Sequence, residues 1–217
     1  MKVSTREELV GEIGTLDNII ECLSATIREY NYHFQLKLKT VFPYWKKSNP
    51  NHYCFIPSSQ TGNVVRRIMH AQQRLRSQDR IRQLKFLDCG CGIGNILVIA
   101  SCLGLDATGI EYELDTYKLG KSVFTSGSTS ERRIRIIKGN VIFFRHYGDY
   151  DIIYYYTPIH NRKMQMKFMK KLAKNVKIGA IVIPYDIPYE PCEGSFENNP
   201  SFRRIGDRET GYYEKIK

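Results

Sequence analysis

The chain has 217 residues, of which 42% are hydrophobic and 25% charged, a balance typical of a globular protein and not of a disordered one. At about 150 residues per domain, this length fits one domain with an extension. We place the extension at residues 1–50 and the domain at residues 51–217. The sequence has no run of about 18 apolar residues, which excludes an ordinary membrane-spanning helix.

The net charge of +11 is unevenly distributed along the chain. Lys and Arg outnumber Asp and Glu by seven to one in residues 51–86 and by seven to two in residues 151–186, whereas acids lead by five to two in residues 87–130. A basic surface favours nucleic acid, acidic proteins or anionic membranes as partners. A solvated helix face that keeps the protein soluble accounts for the same charges.

The N-terminal and cysteine patterns indicate the compartment. The N-terminal sequence lacks the apolar core of roughly 7 to 15 residues that a secretory signal requires, so we expect a cytoplasmic location. Six cysteines form no C-x-x-C pair and have no histidines at zinc-binding spacing. We therefore expect reduced thiols, no disulfide framework and no structural metal.

A heptad stripe begins near the N-terminus. Thr5 and Glu8 match a capping box, which marks the start of a helix. Apolar residues then alternate spacings of four and three residues, at Leu9, Ile13, Leu16, Ile20, Leu23, Ile27, Tyr30 and Phe34. A long helix over about residues 5–38 would measure roughly 50 Å. It either lies along its own domain or pairs two chains into a homodimer.

The rest of the sequence alternates helical and strand patterns. An arginine-rich helix is predicted over residues 61–84, with its arginines on the surface. Strand patterns follow at KFLDC, LDATGIE, RIRIIKG, YDIIYYY and AIVIPY, separated by helices from about Asn95, from Asp115 to Phe124 and from Arg162 to Val176. This order predicts an α/β fold, a Rossmann-like, doubly wound parallel sheet with right-handed crossovers. FRRIG and GYYEKI add a C-terminal antiparallel hairpin, which makes seven strands.

A glycine-rich motif follows the first predicted strand and opens a helix. It reads Asp88-Cys-Gly90-Cys-Gly92-Ile-Gly94, at the place where doubly wound folds bind nucleotides. A dinucleotide fingerprint would have Gly or Ala where Asn95 stands, which weakens an NAD interpretation. The pattern D-x-G-x-G-x-G instead resembles motif I of the class I, seven-strand S-adenosylmethionine methyltransferases, and the resemblance implies S-adenosylmethionine (SAM) as cofactor.

The predicted cofactor site draws on the ends of three strands. Glu111 ends the second strand, where a carboxylate can accept hydrogen bonds from both ribose hydroxyls. Asp88 is placed to meet the cofactor ammonium or to hold the loop. From the resemblance, a polar residue after the third strand contacts adenine, which points to Asn140, although an Asn chosen for a turn is nearly as plausible. The neighbouring residues Asn95, Tyr112 and Val141 complete the predicted set.

The end of the fourth strand is the predicted acceptor side. The resemblance implies that it faces the transferred methyl group, and period-two alternation puts Tyr154 and Tyr156 on one face and Tyr155 on the other. Tyr156, Thr157 and Pro158 are the predicted catalytic residues, acting by proximity and orientation along the methyl channel. Tyrosines that pack in the core are the alternative interpretation.

A broader resemblance covers roughly residues 53–191. It is to the small seven-strand protein-lysine methyltransferases that modify mitochondrial carrier and ATP synthase subunits, and more faintly to the non-SET histone lysine methyltransferases. It implies that Pro57 and Ser58 close over the cofactor and that a protein lysine is the acceptor. The basic helices favour a nucleic-acid acceptor as the rival interpretation, and a coiled-coil scaffold with a vestigial pocket is the third.

Overall fold

The structure is a computed structural model that describes residues 17–29, 58–77, 82–126, 134–159, 161–185, 196–206 and 211–217. Its contacts divide the chain into two units, Met1–Val65 and Arg66–Lys217. The predicted domain boundary after residue 50 lies outside the described residues and stays a prediction.

Five helices and seven strands are described, and they follow the predicted order. The helices are α1 (17–29), α2 (Ser58–Arg76), α3 (Asn95–Cys102), α4 (Leu114–Ser126) and α5 (Arg162–Asn175). The strands are β1 (Lys85–Cys89), β2 (Asp106–Glu111), β3 (Ile134–Lys138), β4 (Ile152–Tyr155), β5 (Ile181–Pro184), β6 (Phe202–Ile205) and β7 (Tyr212–Lys215). Single 3-10 turns occur at Tyr147–Asp149 and Phe196–Asn198.

The strands form one seven-stranded sheet in the order β3-β2-β1-β4-β5-β7-β6. Strands β1 to β5 run parallel, while β7 is antiparallel to both β5 and β6. The predicted α/β fold and its C-terminal hairpin are therefore confirmed. Strands β2 and β3 are added on one side of β1 and strands β4 and β5 on the other, so the strand order reverses between β1 and β4. Open α/β sheets bind ligands outside the carboxyl ends of the strands at such a switch point.

Burial explains which segments became central strands. Strands β1, β2, β4 and β5 are buried on both faces over nearly their whole length, as parallel strands covered by helices require. Strands β3 and β6 form the two edges and carry exposed cations, Arg135 and Lys138 on one and Arg203 and Arg204 on the other. Charged edges of this kind oppose pairing with another sheet.

One large apolar cluster lies between α5 and the sheet. Phe168 and Leu172 of α5 are fully buried against residues of β1 and β4. The ring of Phe168 meets that of Tyr155 edge to face, with centroids 5.3 Å apart. Since right-handed crossovers put helices on opposite faces when the strand order reverses, α3 and α4 cover the other face.

The arginine-rich helix is shorter than predicted. Residues 61–84 were expected to be helical, but α2 ends at Arg76, where the hydroxyl of Ser77 donates to the Arg74 carbonyl at 2.8 Å. The arginines are also not simply a solvated surface. Arg74 pairs with Glu214 at 3.3 Å, and Arg82 pairs with the buried carboxylate of Asp151 at 2.5 Å.

The described part of the N-terminal unit includes α1. Leu23 and Ile27 of the predicted stripe are buried in the single chain, and the remainder of the stripe, apart from the half-buried Ile20, lies outside the described residues. The capping box at Thr5 and Glu8 lies outside them as well, so a homodimer through this helix stays a prediction. Among the described helices, none is long and apolar enough to cross a membrane.

Candidate cofactor site and acceptor edge

The predicted site residues meet at the carboxyl edge of the sheet, on both sides of the switch point. Cys89, at the end of β1, is in register with Ile110 of β2 and with Tyr155 of β4. The glycine loop therefore leaves the sheet between the residues that follow β2 and those that follow β4. Strand pairing alone brings the predicted cofactor and acceptor segments together.

The glycine loop needs backbone angles that favour glycine. Gly90, Gly92 and Gly94 have φ values of 87°, 56° and 97°, which lie in the left-handed region. The N–H groups of Gly90 and Cys91 donate to the Ile110 carbonyl at 2.9 and 3.0 Å, so the loop is tied to β2. These three glycines are thus required by the local backbone, whatever they bind.

Gly90 also sets the distance between the loop and the acceptor segment. A Cβ atom on Gly90 would lie 2.6 Å from the Cβ of Pro158, closer than real side chains approach. The loop and the residues after β4 are therefore in direct contact, and this contact unites Gly90 and Pro158 in one site.

Gly94 and Asn95 have a structural place at the start of α3. Gly94 is the N-cap of this helix, and a Cβ on it would lie 2.7 Å from the Phe124 ring of α4. Asn95 is the first helical residue and is 3% exposed. Close packing of α3 on α4 accounts for Gly94, so its predicted contact with the cofactor stays a prediction.

Asp88 is a buried carboxylate beside the loop. It is 2% exposed, and within the described part of the chain no group donates a hydrogen bond to its carboxylate. Burial, followed by the negative charge of Glu111, raises the pKa of Asp88 well above its usual value. A buried carboxylate in this state is costly unless a cation or a donor reaches it.

Glu111 holds the loop and the turn after β2. Its carboxylate accepts hydrogen bonds from the N–H of Gly92 at 2.9 Å and from the N–H of Glu113 at 2.6 Å. Burial raises its pKa, while these backbone donors lower it in part. An ionised carboxylate has about four acceptor positions, so capacity for the two ribose hydroxyls remains after these two bonds.

The residues after β2 and β3 flank the loop. Tyr112 is 66% exposed, and its ring lies beneath the Lys138 ammonium, 4.9 Å from the ring centroid. The side chain of Asn140 accepts a hydrogen bond from the N–H of Ile142 at 2.8 Å, a turn contact, and its predicted contact with adenine stays a prediction. Val141 is buried, and its carbonyl accepts the Tyr147 hydroxyl.

The acceptor segment carries backbone strain. Thr157 has a φ of 28°, and it is the one non-glycine residue with a positive φ among those the structure describes. A β-branched residue in that region is an outlier, and such strain concentrates at active sites and ligand clamps. The strained residue lies immediately before Pro158, which packs on Gly90.

The three tyrosines at the end of β4 differ in burial. Tyr154 and Tyr155 are fully buried, whereas Tyr156 is half-buried. Burial, with the negative charge of Asp88 as the next cause, raises the pKa of the Tyr154 hydroxyl well above its usual range. The Tyr154 ring stacks on that of Phe86, with centroids 6.5 Å apart.

Two residues of this edge were not identified from the sequence. Tyr185 follows β5 as Tyr156 follows β4, and the two rings lie 5.3 Å apart at 35°. The guanidinium of Arg67 lies 5.1 Å from the Tyr185 centroid and donates to the Pro184 carbonyl at 3.0 Å. Tyr185 could have been found from its position just after a buried strand, while Arg67 gave no signal beyond charge.

The remaining predicted positions precede α2. Ser58 is the first residue of that helix, and Pro57 lies outside the described residues. Their predicted closure over the cofactor stays a prediction.

The arrangement at the carboxyl edge fits SAM. Asp88 offers a buried anion that an amino-acid ammonium would neutralise, and Glu111 offers acceptors for a ribose. The loop between the two carboxylate-bearing strand ends contains glycines with positive φ, so a ligand there would meet the backbone and not side chains at these positions. SAM has no pyrophosphate, so it does not need the phosphate-binding features that the loop lacks.

Comparison with known proteins supports the fold. No protein-family model matches the sequence, and no curated protein matches it. Among solved structures, a candidate methylase from Haemophilus influenzae covers 70% of this chain and 99% of its own length, with a TM-score of 0.51 and 14% identity.

Two further solved structures are more distant. A SAM-dependent methyltransferase from Methanosarcina mazei covers 50% of this chain and 55% of its own, with a TM-score of 0.43 and 18% identity. PKMT2 from Rickettsia typhi, solved with S-adenosylhomocysteine, covers 47% of this chain and 20% of its own, with a TM-score of 0.40 and 22% identity. The sheet order and the match over nearly the whole Haemophilus protein give this chain the Rossmann-like, seven-strand methyltransferase fold.

Proposed function

We propose that the chain is a SAM-dependent methyltransferase. The observation that carries this proposal is the buried Asp88 carboxylate, which lies beside Glu111 and the glycine loop at the switch point. A fold shared with a candidate methylase supports it. When bound, SAM would supply an electrophilic methyl group on a sulfonium centre.

The chain's own residues would bind and orient the reactants. Asp88 would pair with the ammonium of the methionine part, and Glu111 would accept the ribose hydroxyls. Thr157 and Pro158 would border the channel through which the acceptor reaches the methyl group. Within the described residues the two Glu side chains at this edge, Glu111 and Glu113, lie at or just after the end of β2 on the cofactor side, so we infer that proximity and orientation supply most of the rate.

A protein lysine is the acceptor that the resemblance implies, and it remains a candidate. Rings such as those of Tyr156 and Tyr185 can attract an ammonium group. The Arg67 guanidinium already lies 5.1 Å from the Tyr185 ring centroid, however, and a second cation there would be repelled. We therefore rank lysine below the acceptor proposed in the next subsection.

Calorimetric titration of SAM and S-adenosylhomocysteine into the full chain tests the proposal. We expect both to bind wild type. Glu111→Ala should weaken both by at least about tenfold, because it removes charge-assisted hydrogen bonds to the ribose.

Glu113→Gln is the matched control, since it removes a neighbouring carboxylate while leaving the Glu113 N–H, which donates to Glu111, in place. Circular dichroism and thermal unfolding would show that both variants fold. Wild type that takes up neither ligand at about 1 mM, a concentration that saturates any micromolar site, would overturn the proposal.

A further inference from the structure

Helix α5 carries a stripe of exposed lysines. Lys163, Lys167, Lys170 and Lys174 are all exposed, and their spacing of four, three and four residues puts them on one side of the helix. None of the four pairs with an acid in the described part of the chain, and the helix sequence contains no Asp or Glu. By contrast, Lys177 pairs with Asp151 at 3.0 Å and has a structural role.

The stripe extends from the acceptor edge to a cavity. Asn161, which caps α5 by accepting the Met164 N–H at 3.1 Å, follows Pro158 by three residues. The far end of the stripe borders a cavity of about 410 Å³ whose lining includes Lys170, Lys174 and Lys215. From Lys163 to Lys174 the stripe is about 16 Å long, which is the length of about five stacked nucleotides at a rise of about 3.4 Å.

At the acceptor edge, an aromatic pair lies beside a fixed cation. Tyr156 and Tyr185 are half-buried, with ring centroids 5.3 Å apart. Arg67 is held next to them by the Pro184 carbonyl. Aromatic and guanidinium planes stack on unpaired bases, whereas a cation near the acceptor position disfavours an ammonium substrate.

We propose that the acceptor is a base of a single-stranded nucleic acid, with its phosphates along the α5 lysine stripe and its base at the Tyr156, Tyr185 and Arg67 cluster. This inference rests on the proposed function. It names the class of methyl acceptor at that site, whereas the basic charge alone is compatible with several kinds of partner. The net charge of +11 adds long-range attraction for a polyanion.

Fluorescence anisotropy tests the proposal with a fluorescein-labelled, single-stranded RNA of about 12 nucleotides and a DNA of the same sequence. We expect binding by the full chain without SAM. If four lysines contact phosphates, the logarithm of the binding constant should fall with the logarithm of salt concentration with a slope of about −3. A difference between the RNA and DNA arms would identify the sugar that the site prefers.

Two double variants of equal charge separate the stripe from general electrostatics. Lys167→Gln with Lys170→Gln should weaken binding and reduce the slope by about 1.4, at about 0.7 per lost contact on a single strand. Lys118→Gln with Lys121→Gln is the control, because these exposed lysines lie on α4, on the other face of the sheet. Tyr185→Ala should lower affinity by about tenfold with no change of slope.

Several results would overturn the proposal. These are no binding of either oligonucleotide at about 50 mM salt, equal losses in the two double variants, or competition by polyglutamate as effective as that by unlabelled oligonucleotide. Labelled methyl transfer to a lysine peptide without oligonucleotide binding would favour the lysine acceptor instead. The calorimetric titration of SAM needs no acceptor, so failure here leaves the proposed function standing.

Discussion

At the scale of single residues, the Asp88 carboxylate favours cofactor binding but lowers the stability of the ligand-free fold. Burial and the charge of Glu111 raise its pKa, so the folded state holds a proton on Asp88 more tightly than the unfolded state does. Stability is therefore lost as pH rises from the ordinary carboxyl value through the raised pKa. Ionisation of this side chain therefore weakens the ligand-free fold, and a bound ammonium would reverse that effect.

We predict that Asp88→Asn stabilises the ligand-free chain and weakens cofactor binding. The neutral amide removes the buried charge, which should raise the free energy of unfolding by about 1 kcal/mol and Tm by about 3 °C. SAM affinity should fall by at least about tenfold, because the ammonium loses its counter-ion. Differential scanning fluorimetry and calorimetry measure the two effects, with the exposed Asp115→Asn as control. A lower Tm for Asp88→Asn would show that the carboxylate stabilises the ligand-free fold.

Thr157 illustrates a second conflict, between strain and positioning. Its φ of 28° costs on the order of 1–3 kcal/mol for a non-glycine residue, and it is followed by the proline that contacts Gly90. We predict that Thr157→Gly raises the free energy of unfolding by about 1 kcal/mol, since glycine adopts this angle without the strain. Methyl transfer to an oligonucleotide should slow, because Pro158 loses its fixed position.

Thr157→Val separates the two contributions of this residue, since it keeps the branched Cβ and removes the hydroxyl. If strain positions Pro158, the Val variant should retain more transfer activity than the Gly variant. Chemical denaturation and transfer of a labelled methyl group measure both quantities. Equal stability of wild type and Thr157→Gly would mean that the backbone at 157 is not strained.

The residues of the site were accessible to sequence analysis to different degrees. Asp88 and Glu111 follow from a motif with fixed spacing after strands, so their positions could be predicted. The contact between Gly90 and Pro158 could not, because it depends on how β1 and β4 pair across 68 positions of sequence. Arg67 was missed for the same reason, since one arginine in a basic helix has no pattern that marks it as facing Tyr185.

At the scale of elements, glycines decide how closely helices pack. Gly94 has a φ of 97°, and a Cβ there would lie 2.7 Å from the Phe124 ring. Gly104 has a φ of 81° with nothing within 4 Å of the same position. The two glycines thus share a backbone requirement and differ in their surroundings.

We predict that Gly94→Ala destabilises the chain more than Gly104→Ala does. Both variants bear the cost of a positive φ, about 1 kcal/mol, and Gly94→Ala adds overpacking of about 1–3 kcal/mol. Urea denaturation of the two variants gives the difference directly. Phe124→Leu, introduced with Gly94→Ala, should recover part of the loss. Equal destabilisation by the two alanines would show that α3 and α4 separate at no cost.

Element order was predictable because burial on both faces gives continuous apolar strands, such as those that became β1, β4 and β5. The ends of the elements were harder to predict than their order. The apolar periodicity that predicted a helix to residue 84 continues past Arg76. Leu84, however, is buried just before β1 as part of the core. Apolar residues that precede a strand and those that end a helix cannot be distinguished by spacing alone.

At the scale of the whole molecule, the two ends of the parallel strands have different roles. The carboxyl edge holds the candidate site, while the amino edge is fixed by Asp151. This carboxylate is fully buried and accepts hydrogen bonds from the Lys85 N–H at 2.9 Å and from Arg82 at 3.1 and 2.5 Å. Lys177, between α5 and β5, pairs with it at 3.0 Å. One side chain thus joins the starts of β1, β4 and β5.

We predict that Asp151→Asn lowers the free energy of unfolding by about 2 kcal/mol at neutral pH, because it weakens the charge-assisted hydrogen bonds that the buried carboxylate accepts from Arg82 and the Lys85 N–H and its ion pair with Lys177. Burial alone would raise the pKa of Asp151, but the Lys85 amide, Lys177 and Arg82 together hold it below its usual value. Its contribution is therefore complete above the ordinary carboxyl pKa of about 3.9 and is lost as pH falls through the lower, folded-state pKa.

Urea denaturation of wild type and Asp151→Asn between about pH 3 and 8 tests this dependence. The difference between the two should stay constant down to about pH 5 and shrink below about pH 4. Asp149→Asn is the matched control, because Asp149 is 62% exposed and pairs with His146 at 3.6 Å, so little change is expected. SAM affinity of the folded Asp151→Asn variant should equal that of wild type, since the anchor and the site lie at opposite edges of the sheet. A difference in stability that grew towards low pH would contradict the sign of the pKa shift.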